Sequence, residues 1–381
     1  MSKNIFLIAG EASGDALGAK LIAALKSLHP DIKLSGIGGE KMQKLGLKSL
    51  FPMEELSLLG FAEIIPHIPH LLKRITETAD HIEEIRPDIV VTIDAPAFNF
   101  RVARKLKERN SKIKLVHYVA PSVWAYKPKR AEKIAALYDH LLTILPFEPE
   151  YFEKVGLPAT FVGHSIVEEN LSGGSRESFR QKHGIYKNAP VVYVMPGSRK
   201  SEIKRLLPVF FSTLEIMHEA FPDLVAVILA TDAHKSEIKT KFSVSPFKSV
   251  VINSTEKRDA LAASDVGLVK SGTGTLELAI AGVPMVVAYK VNPISAFALR
   301  KMIMVPYVNI VNLLLNAPVI PEMLQEDCNP EYLSAALSSL LENKDERTNQ
   351  LVNTQKAIQM LKCNTHITPS AKAASVISEL I

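Results

Sequence analysis

Short, unbroken runs of aliphatic residues recur along the chain, separated by amphipathic stretches with helical spacing. The runs are Ile5–Ala9, Leu34–Ile37, Ile89–Ile93, Leu115–Val119, Leu141–Leu145, Thr160–Val162, Val191–Met195, Leu224–Leu229, Val250–Ile252, Val266–Val269 and Met285–Tyr289. A strand with one wet face alternates apolar and polar residues, whereas a continuous Val/Ile/Leu run marks a strand covered on both faces. Strands of that kind alternating with helices predict a doubly wound α/β fold on a parallel sheet. At 381 residues the chain is too long for one ordinary core, so two such domains are expected. A polar, glycine-bearing stretch from Asn170 to Gly184 has strands on either side and reads as the linker. The expected division is therefore 1–170, 185–350 and a helical tail over 351–381.

Bulk properties narrow the function classes. The net charge is +5 and the pI about 8.9, which suits anionic partners. The basic residues are dispersed and no recognition motif occurs, so nucleic acid is not an expected partner. Cys328 and Cys363 are the two cysteines, too few for a disulfide framework, and a reducing compartment is expected. No signal peptide is apparent, and no apolar run approaches the roughly 20 residues that span a bilayer. No Asp-x-Asp pair and no His/Cys metal spacing occur, so neither metal nor cofactor is expected.

The most informative segment runs from Ala263 to Ala288. The strand Val266–Val269 enters Lys270-Ser271-Gly272-Thr273-Gly274-Thr275, a helix follows to Ala281, and Gly282 ends it. Glycines let a ligand approach the backbone, hydroxyls of Ser271, Thr273 and Thr275 can donate to phosphate oxygens, and a helix N-terminus attracts anions. This is a candidate diphosphate site. Glu277 in the first turn would repel phosphate, but it can accept bonds from two ribose hydroxyls. An ordinary strand–turn–helix is the plain alternative. A second loop, Pro196-Gly197-Ser198-Arg199, places a guanidinium past the strand Val191–Met195, where such sheets bind ligands and where arginine can pair with phosphate.

In the first half, Ile5–Ala9 leads into Gly10-Glu11-Ala12-Ser13-Gly14-Asp15. Carboxylates sit where a pyrophosphate needs donors, so Glu11, Ser13, Gly14 and Asp15 read as contacts to substrate hydroxyls or to a substrate reached through main-chain N–H groups, with Ser13 alternatively a helix cap. Asp94 follows the strand Ile89–Ile93 and is the candidate general base, or else a turn aspartate. Ser122 and Trp124, in Pro121-Ser122-Val123-Trp124-Ala125, are candidate sugar contacts, the indole either stacking on a ring or simply packing. His164 is either a ligand contact or a core histidine. Leu56 to Ile75 is rich in large apolar residues (Leu58, Leu59, Phe61, Ile64, Ile65, Ile68, Leu71, Leu72), broken by Pro66 and Pro69, and ends in Lys73-Arg74. It reads as an apolar lid or interfacial segment with its basic end toward an anionic membrane surface, or as a kinked core helix.

Gly10-Glu11-Ala12-Ser13-Gly14-Asp15, Ile93-Asp94-Ala95-Pro96, Pro121 to Ala125, Leu145-Pro146-Phe147-Glu148, Pro196 to Arg199 and Ser271-Gly272-Thr273 through Glu277 occur in order over nearly the whole chain. As an ordered set they resemble the lipid-A-disaccharide synthase family. The resemblance implies a GT-B glycosyltransferase: two Rossmann-like domains facing across a cleft, the first binding acceptor and lipid, the second UDP-sugar, with the last helix crossing back to the first. It implies a hexosyltransferase of lipopolysaccharide biosynthesis, peripheral on the cytoplasmic face of the inner membrane of a Gram-negative cell. The implied donor is UDP-2,3-diacylglucosamine, the acceptor 2,3-diacylglucosamine 1-phosphate, and the products a β-1,6 disaccharide 1-phosphate and UDP. It leaves room for a homodimer. By matching motif, Arg199, Gly272, Thr273, Glu277, Asn312 and Gln325 hold UDP. The family pattern has an acidic residue after Asp94-Ala95-Pro96, where this chain has Ala97. A UDP-sugar epimerase of the same architecture and a non-catalytic nucleotide-sensing membrane module are the competing readings.

Overall fold

The computed structural model describes residues 3–57, 68–293, 296–297, 302–363 and 366–381. Among them the strands form two parallel sheets. The first joins β1 (Asn4–Ala9), β2 (Lys33–Ile37), β3 (Lys48–Ser49), β4 (Ile89–Ile93), β5 (Lys114–Tyr118), β6 (His140–Thr143) and β7 (Ala159–Phe161) in the order β3-β2-β1-β4-β5-β6-β7. The second joins β8 (Val191–Met195), β9 (Val225–Leu229), β10 (Lys248–Ile252), β11 (Val266–Lys270), β12 (Met285–Tyr289) and β13 (Glu322–Leu324) in the order β10-β9-β8-β11-β12-β13. Helices separate successive strands, as parallel pairing requires. Residues Ile5 to Ala9 and Val191 to Val194 are almost fully buried, as continuous apolar runs predict. The architecture is therefore α/β with two Rossmann-like sheets.

Two compact units result: residues Met1–Glu168 with Leu361–Ile381, and residues Glu169–Met360. The last helix, Pro369–Glu379, packs in the first unit against the helix Ala12–Leu28, burying Ala373, Ala374 and Ile377. Small alanines let the two helices approach closely, and His29 Nε2 meets Ser378 Oγ at 3.0 Å. The C-terminal helix thus returns to the first unit.

Each sheet has one place where strand order reverses, between β1 and β4 and between β8 and β11. In open α/β sheets the crevice at that point, beyond the carboxyl ends of the strands, takes the ligand. Gly272 to Glu277 follow β11 at one of these points, and Glu11 and Asp94 follow β1 and β4 at the other.

Candidate functional site

In the second unit, loops beyond the carboxyl ends of β8, β9, β10 and β11 enclose a cavity of about 470 Å³. It is lined by Gly197 and Ser198 after β8, Thr231 and Asp232 after β9, Asn253 and Ser254 after β10, and Lys270, Gly272, Thr273, Gly274 and Glu277 from β11 onward. Gly272 has φ +152°, a conformation open to glycine, and lets the chain double back before the helix Gly274–Ala281. Among the described residues, the amides of Gly272, Thr273 and Gly274 donate to no acceptor. They are the free donors a helix start offers an anion. Gly282, at φ +72°, closes the helix in the left-handed conformation.

Two ion pairs stand in the wall. Lys257 Nζ lies 2.8 Å from Glu277 Oε1, and Lys270 Nζ lies 3.0 Å from Glu202 Oε1. Glu202 Oε2 also accepts the amides of Ser198 and Arg199 at 3.2 and 3.3 Å. Burial pushes the Glu202 carboxyl up, but the Lys270 charge and hydrogen bond and the two amides outweigh it and hold it below its ordinary value. Lys257, Lys270, Glu202, Asp232 and Asn253 were not singled out by sequence reasoning. Their meeting depends on strand order, which no local pattern records; only Glu202, three residues after Arg199, had a local signal as a capping residue.

The sequence-predicted residues of this unit divide. Gly272, Thr273, Gly274 and Glu277 line the cavity. Arg199 caps the helix Lys200–Ala220 and stands outside the lining, its side chain 78% exposed. The hydroxyls of Ser271 and Thr275 are turned inward: Ser271 donates to the Val308 carbonyl at 3.3 Å and Thr275 to the Gly272 carbonyl at 2.7 Å. They brace the loop instead of presenting free donors. Asn312 is fully buried, and its amide donates to Ile320 O and Glu322 Oε1 while its carbonyl accepts the Ile320 amide, all at 2.8 Å. It pins the segment before β13, away from the cavity. Gln325 caps the end of β13 and lines a separate hollow of about 560 Å³ with Arg205 and Lys290.

In the first unit, Asp94 and Ala95 both have left-handed backbones, φ +49° and +43°. Such conformations cost free energy and persist where surrounding contacts enforce them. Here Asn99 is fully buried and donates to the Asp94 and Ile93 carbonyls at 2.7 and 3.3 Å, locking the turn. Burial raises the Asp94 carboxyl, against a weaker lowering by the Ala95 amide. Gly10 lies against this turn: a Cβ there would come within 2.8 Å of Ala95 Cβ, so the loops after β1 and β4 touch. Glu11 and Ser13 are exposed beside them. Glu11, not Ser13, is the N-cap residue of the helix Ala12–Leu28.

Gly14 and Asp15 are both buried. A Cβ on Gly14 would sit 3.4 Å from Ala9 Cβ, at ordinary van der Waals contact, so the helix lies close on β1. The Asp15 carboxylate is buried and accepts the amides of Lys41 and Met42 at 3.1 and 3.0 Å, satisfying the start of the helix Glu40–Lys44. Both its oxygens are engaged by backbone amides, where the sequence reading has it meet substrate hydroxyls. Ser122 is exposed. Trp124 is fixed: its Nε1 donates to Glu148 Oε1 at 3.1 Å and its ring meets Phe147 edge-on at 5.2 Å. Burial drives the Glu148 carboxyl up to about 7, with the Leu145 amide and the indole pulling against it. His164 is a core histidine, its Nδ1 accepting the Ile166 amide at 3.1 Å and burial lowering it to about 4.

Of the apolar stretch, Leu58, Leu59, Phe61, Ile64 and Ile65 lie outside the described residues. Ile68, Leu71 and Leu72 open the helix Ile68–Ile85, with Pro69 in its first turn, where a missing amide hydrogen does no harm. Ile68 and Leu72 are 42% and 53% exposed. Arg74 does not face outward as expected. Glu55 and Glu77 hold its guanidinium at 2.7 Å, and it lies 4.5 Å over the Phe51 ring. Lys73 is exposed. Among the described residues no helix is long and apolar enough to cross a membrane.

A family model described as lipid-A-disaccharide synthetase matches residues 5–376. A lipid-A-disaccharide synthase of Rhodospirillum centenum is 45% identical over 99% of this chain and 94% of its own length. One of Rickettsia bellii is 42% identical over 99% of each. Among solved structures, the UDP-GlcNAc 2-epimerase of Neisseria meningitidis bound to UDP-GlcNAc superposes with a TM-score of 0.61 at 13% identity, covering 99% of this chain and 98% of that one. The glycosyltransferase of kitacinnamycin gives 0.63 at 14%, covering 100% and 99%. At such identities these two likenesses concern the fold alone.

Proposed function

Because the chain belongs to the lipid-A-disaccharide synthetase family, and so is a glycosyltransferase of lipid A synthesis, we propose that it joins UDP-2,3-diacylglucosamine to 2,3-diacylglucosamine 1-phosphate. The products are the β-1,6 disaccharide 1-phosphate and UDP. The observation that carries this reading is the cavity over the β8/β11 reversal, where unpaired amides, two lysines and the Glu277 carboxylate, among three carboxylates in the wall, suit a nucleoside diphosphate. Gly272, Thr273 and Gly274 receive the diphosphate through backbone amides, and Glu277 Oε2 accepts a ribose hydroxyl while Lys257 holds Oε1. Arg199, Asn312 and Gln325 act differently from one another in this scheme. Arg199 reaches the phosphates from the rim, Asn312 shapes the loop, and Gln325 flanks the same sheet edge.

An α-linked donor that yields a β product requires inversion, hence one displacement. The acceptor 6-hydroxyl oxygen attacks the donor anomeric carbon, the bond to the phosphate oxygen breaks, and its electron pair leaves on UDP. Asp94 takes the hydroxyl proton. Its raised affinity for protons suits a base that must accept one in the transition state. Glu11, Ser13 and Ser122 remain exposed to meet acceptor hydroxyls and phosphate, and Trp124, two residues after Ser122, is held by Glu148. The exposed Ile68 and Leu72 next to Lys73 support acyl chains or an anionic bilayer as partners, and a peripheral place on the inner face of the inner membrane. An epimerase shares only the fold, and has no use for this apolar helix start.

Mass spectrometry of the protein with both diacylated substrates tests the reading. The expected result is disaccharide 1-phosphate and UDP in equal amounts, with each substrate inert alone. Epimerised UDP-sugar without acceptor, or an intact donor with acceptor present, would refute it. Arg199→Ala is expected to weaken UDP binding about tenfold, a modest effect because the guanidinium is exposed to solvent. Unaltered affinity by titration calorimetry would remove Arg199 from the phosphates.

A further inference from the structure

Two lysines face three carboxylates in the lining of the nucleotide cavity, Lys257 and Lys270 against Glu202, Asp232 and Glu277. A cavity with a net negative wall does not attract a diphosphate through its overall charge. Binding has to come from cations and amides set at particular points, and both lysines are already engaged.

The Glu202 carboxylate occupies an anion cradle. One oxygen accepts the amides of Ser198 and Arg199, and the other meets the Lys270 ammonium at 3.0 Å. Two backbone N–H groups at a helix start and a lysine are the donor set that proteins offer a phosphate. Both signature glycines border this carboxylate–ammonium pair. A Cβ on Gly197 would come within 2.5 Å of Glu202 Oε2, so only glycine lets the carboxylate fold back over the loop. A Cβ on Gly272 would lie 3.4 Å from Lys270 Nζ, which places the ammonium beside Gly272, where the run of free amides begins. Lys270 Nζ also lies 5.9 Å from the centroid of the Tyr289 ring. The ammonium is therefore confined between an aromatic face, a carboxylate and the phosphate-facing loop.

We infer that Lys270 is a further diphosphate-binding residue, and that Glu202 is an internal anion holding it and the Ser198 and Arg199 amides until the nucleotide arrives. The inference rests on the reading of this cavity as the UDP site. A diphosphate brings more negative charge to Lys270 than a single carboxylate does, so it draws the ammonium toward the loop. Glu202 is a positioning residue here: it keeps Lys270 aimed at the loop in the empty protein, and its charge competes with the ligand once the ligand is near. A purely structural capping residue would affect helix stability and leave the preference for phosphate unchanged.

Titration calorimetry of UDP and of uridine on the full chain separates these roles. Lys270→Met is expected to weaken UDP binding about tenfold or more while uridine affinity stays the same, because only the diphosphate needs the cation. Lys270→Arg should restore most of the UDP affinity. Glu202→Gln, which keeps an oxygen for the two amides, is expected to tighten UDP binding about threefold and leave uridine unaffected. A Lys270→Met protein that binds UDP like wild type, or loses UDP and uridine equally, would overturn the inference. So would a folded Glu202→Gln protein with weaker UDP binding. Wild-type protein that binds no UDP would overturn the reading of the cavity and this inference with it; wild-type binding beside an unaffected Lys270→Met overturns the inference alone.

Discussion

Asp94→Asn is expected to cut turnover by about 10²- to 10⁴-fold, the usual contribution of a positioned general base. UDP affinity should stay within about twofold of wild type, since the nucleotide is assigned to residues of the other unit and asparagine keeps the shape of the side chain. The pH dependence gives a second readout. Burial raises the Asp94 carboxyl, so the base is lost to protonation at a pH above the ordinary aspartate value of 3.8. Activity should therefore fall as pH drops through that raised value, and the acid limb should disappear in the Asp94→Asn protein. Stopped-point assays across pH, with UDP titration on the same preparations, measure both. Full turnover in the variant, or an unaltered acid limb, would take Asp94 out of the role. The left-handed backbone at Asp94 and Ala95 predicts that Asn99→Ala also lowers turnover, because Asn99 is what holds that turn.

Gly36→Ala is expected to destabilise the first unit severely. Gly36 lies in β2 opposite Leu7 of β1, at φ +146°. A Cβ there would stand 1.8 Å from the Leu7 carbonyl oxygen, which is backbone and has nowhere to go. The strain of a non-glycine residue at such a backbone angle adds to the clash, and together they cost about 4 kcal/mol or more. That is a large share of the roughly 5–15 kcal/mol by which domains are stable. Gly156→Ala is the control. It also has positive φ, +81°, but nothing lies within 4 Å of the added Cβ. Its cost is backbone strain alone, about 1–2 kcal/mol. Soluble yield and denaturant midpoints of the two proteins separate sterics from strain. Similar mild losses in both would mean that β1 and β2 do not pair in this register.

Most strands were legible because burial on both faces leaves an unmistakable apolar run, and the loop from Lys270 to Glu277 was legible because its chemistry is contiguous. Two edge strands escaped: β3 is Lys48–Ser49 and β13 is Glu322–Leu324, and neither is a continuous aliphatic run. Asn312 and Asp15 show a different limit. A buried polar residue in a motif reads alike whether it touches a ligand or satisfies neighbouring amides, and only the three-dimensional partners decide. The ion pairs of the cavity were hidden for a topological reason. Lys257 meets Glu277 because the helix after β10 and the helix after β11 flank one crevice, a consequence of strand order and not of spacing along the chain.

A structure of the protein with UDP bound tests the central claim most directly. The account predicts the diphosphate against the amides of Gly272 to Gly274 and within hydrogen-bond reach of Lys270, with a ribose hydroxyl on Glu277. UDP seated in the first unit, or in the second unit away from Lys270 and Glu277, would contradict it.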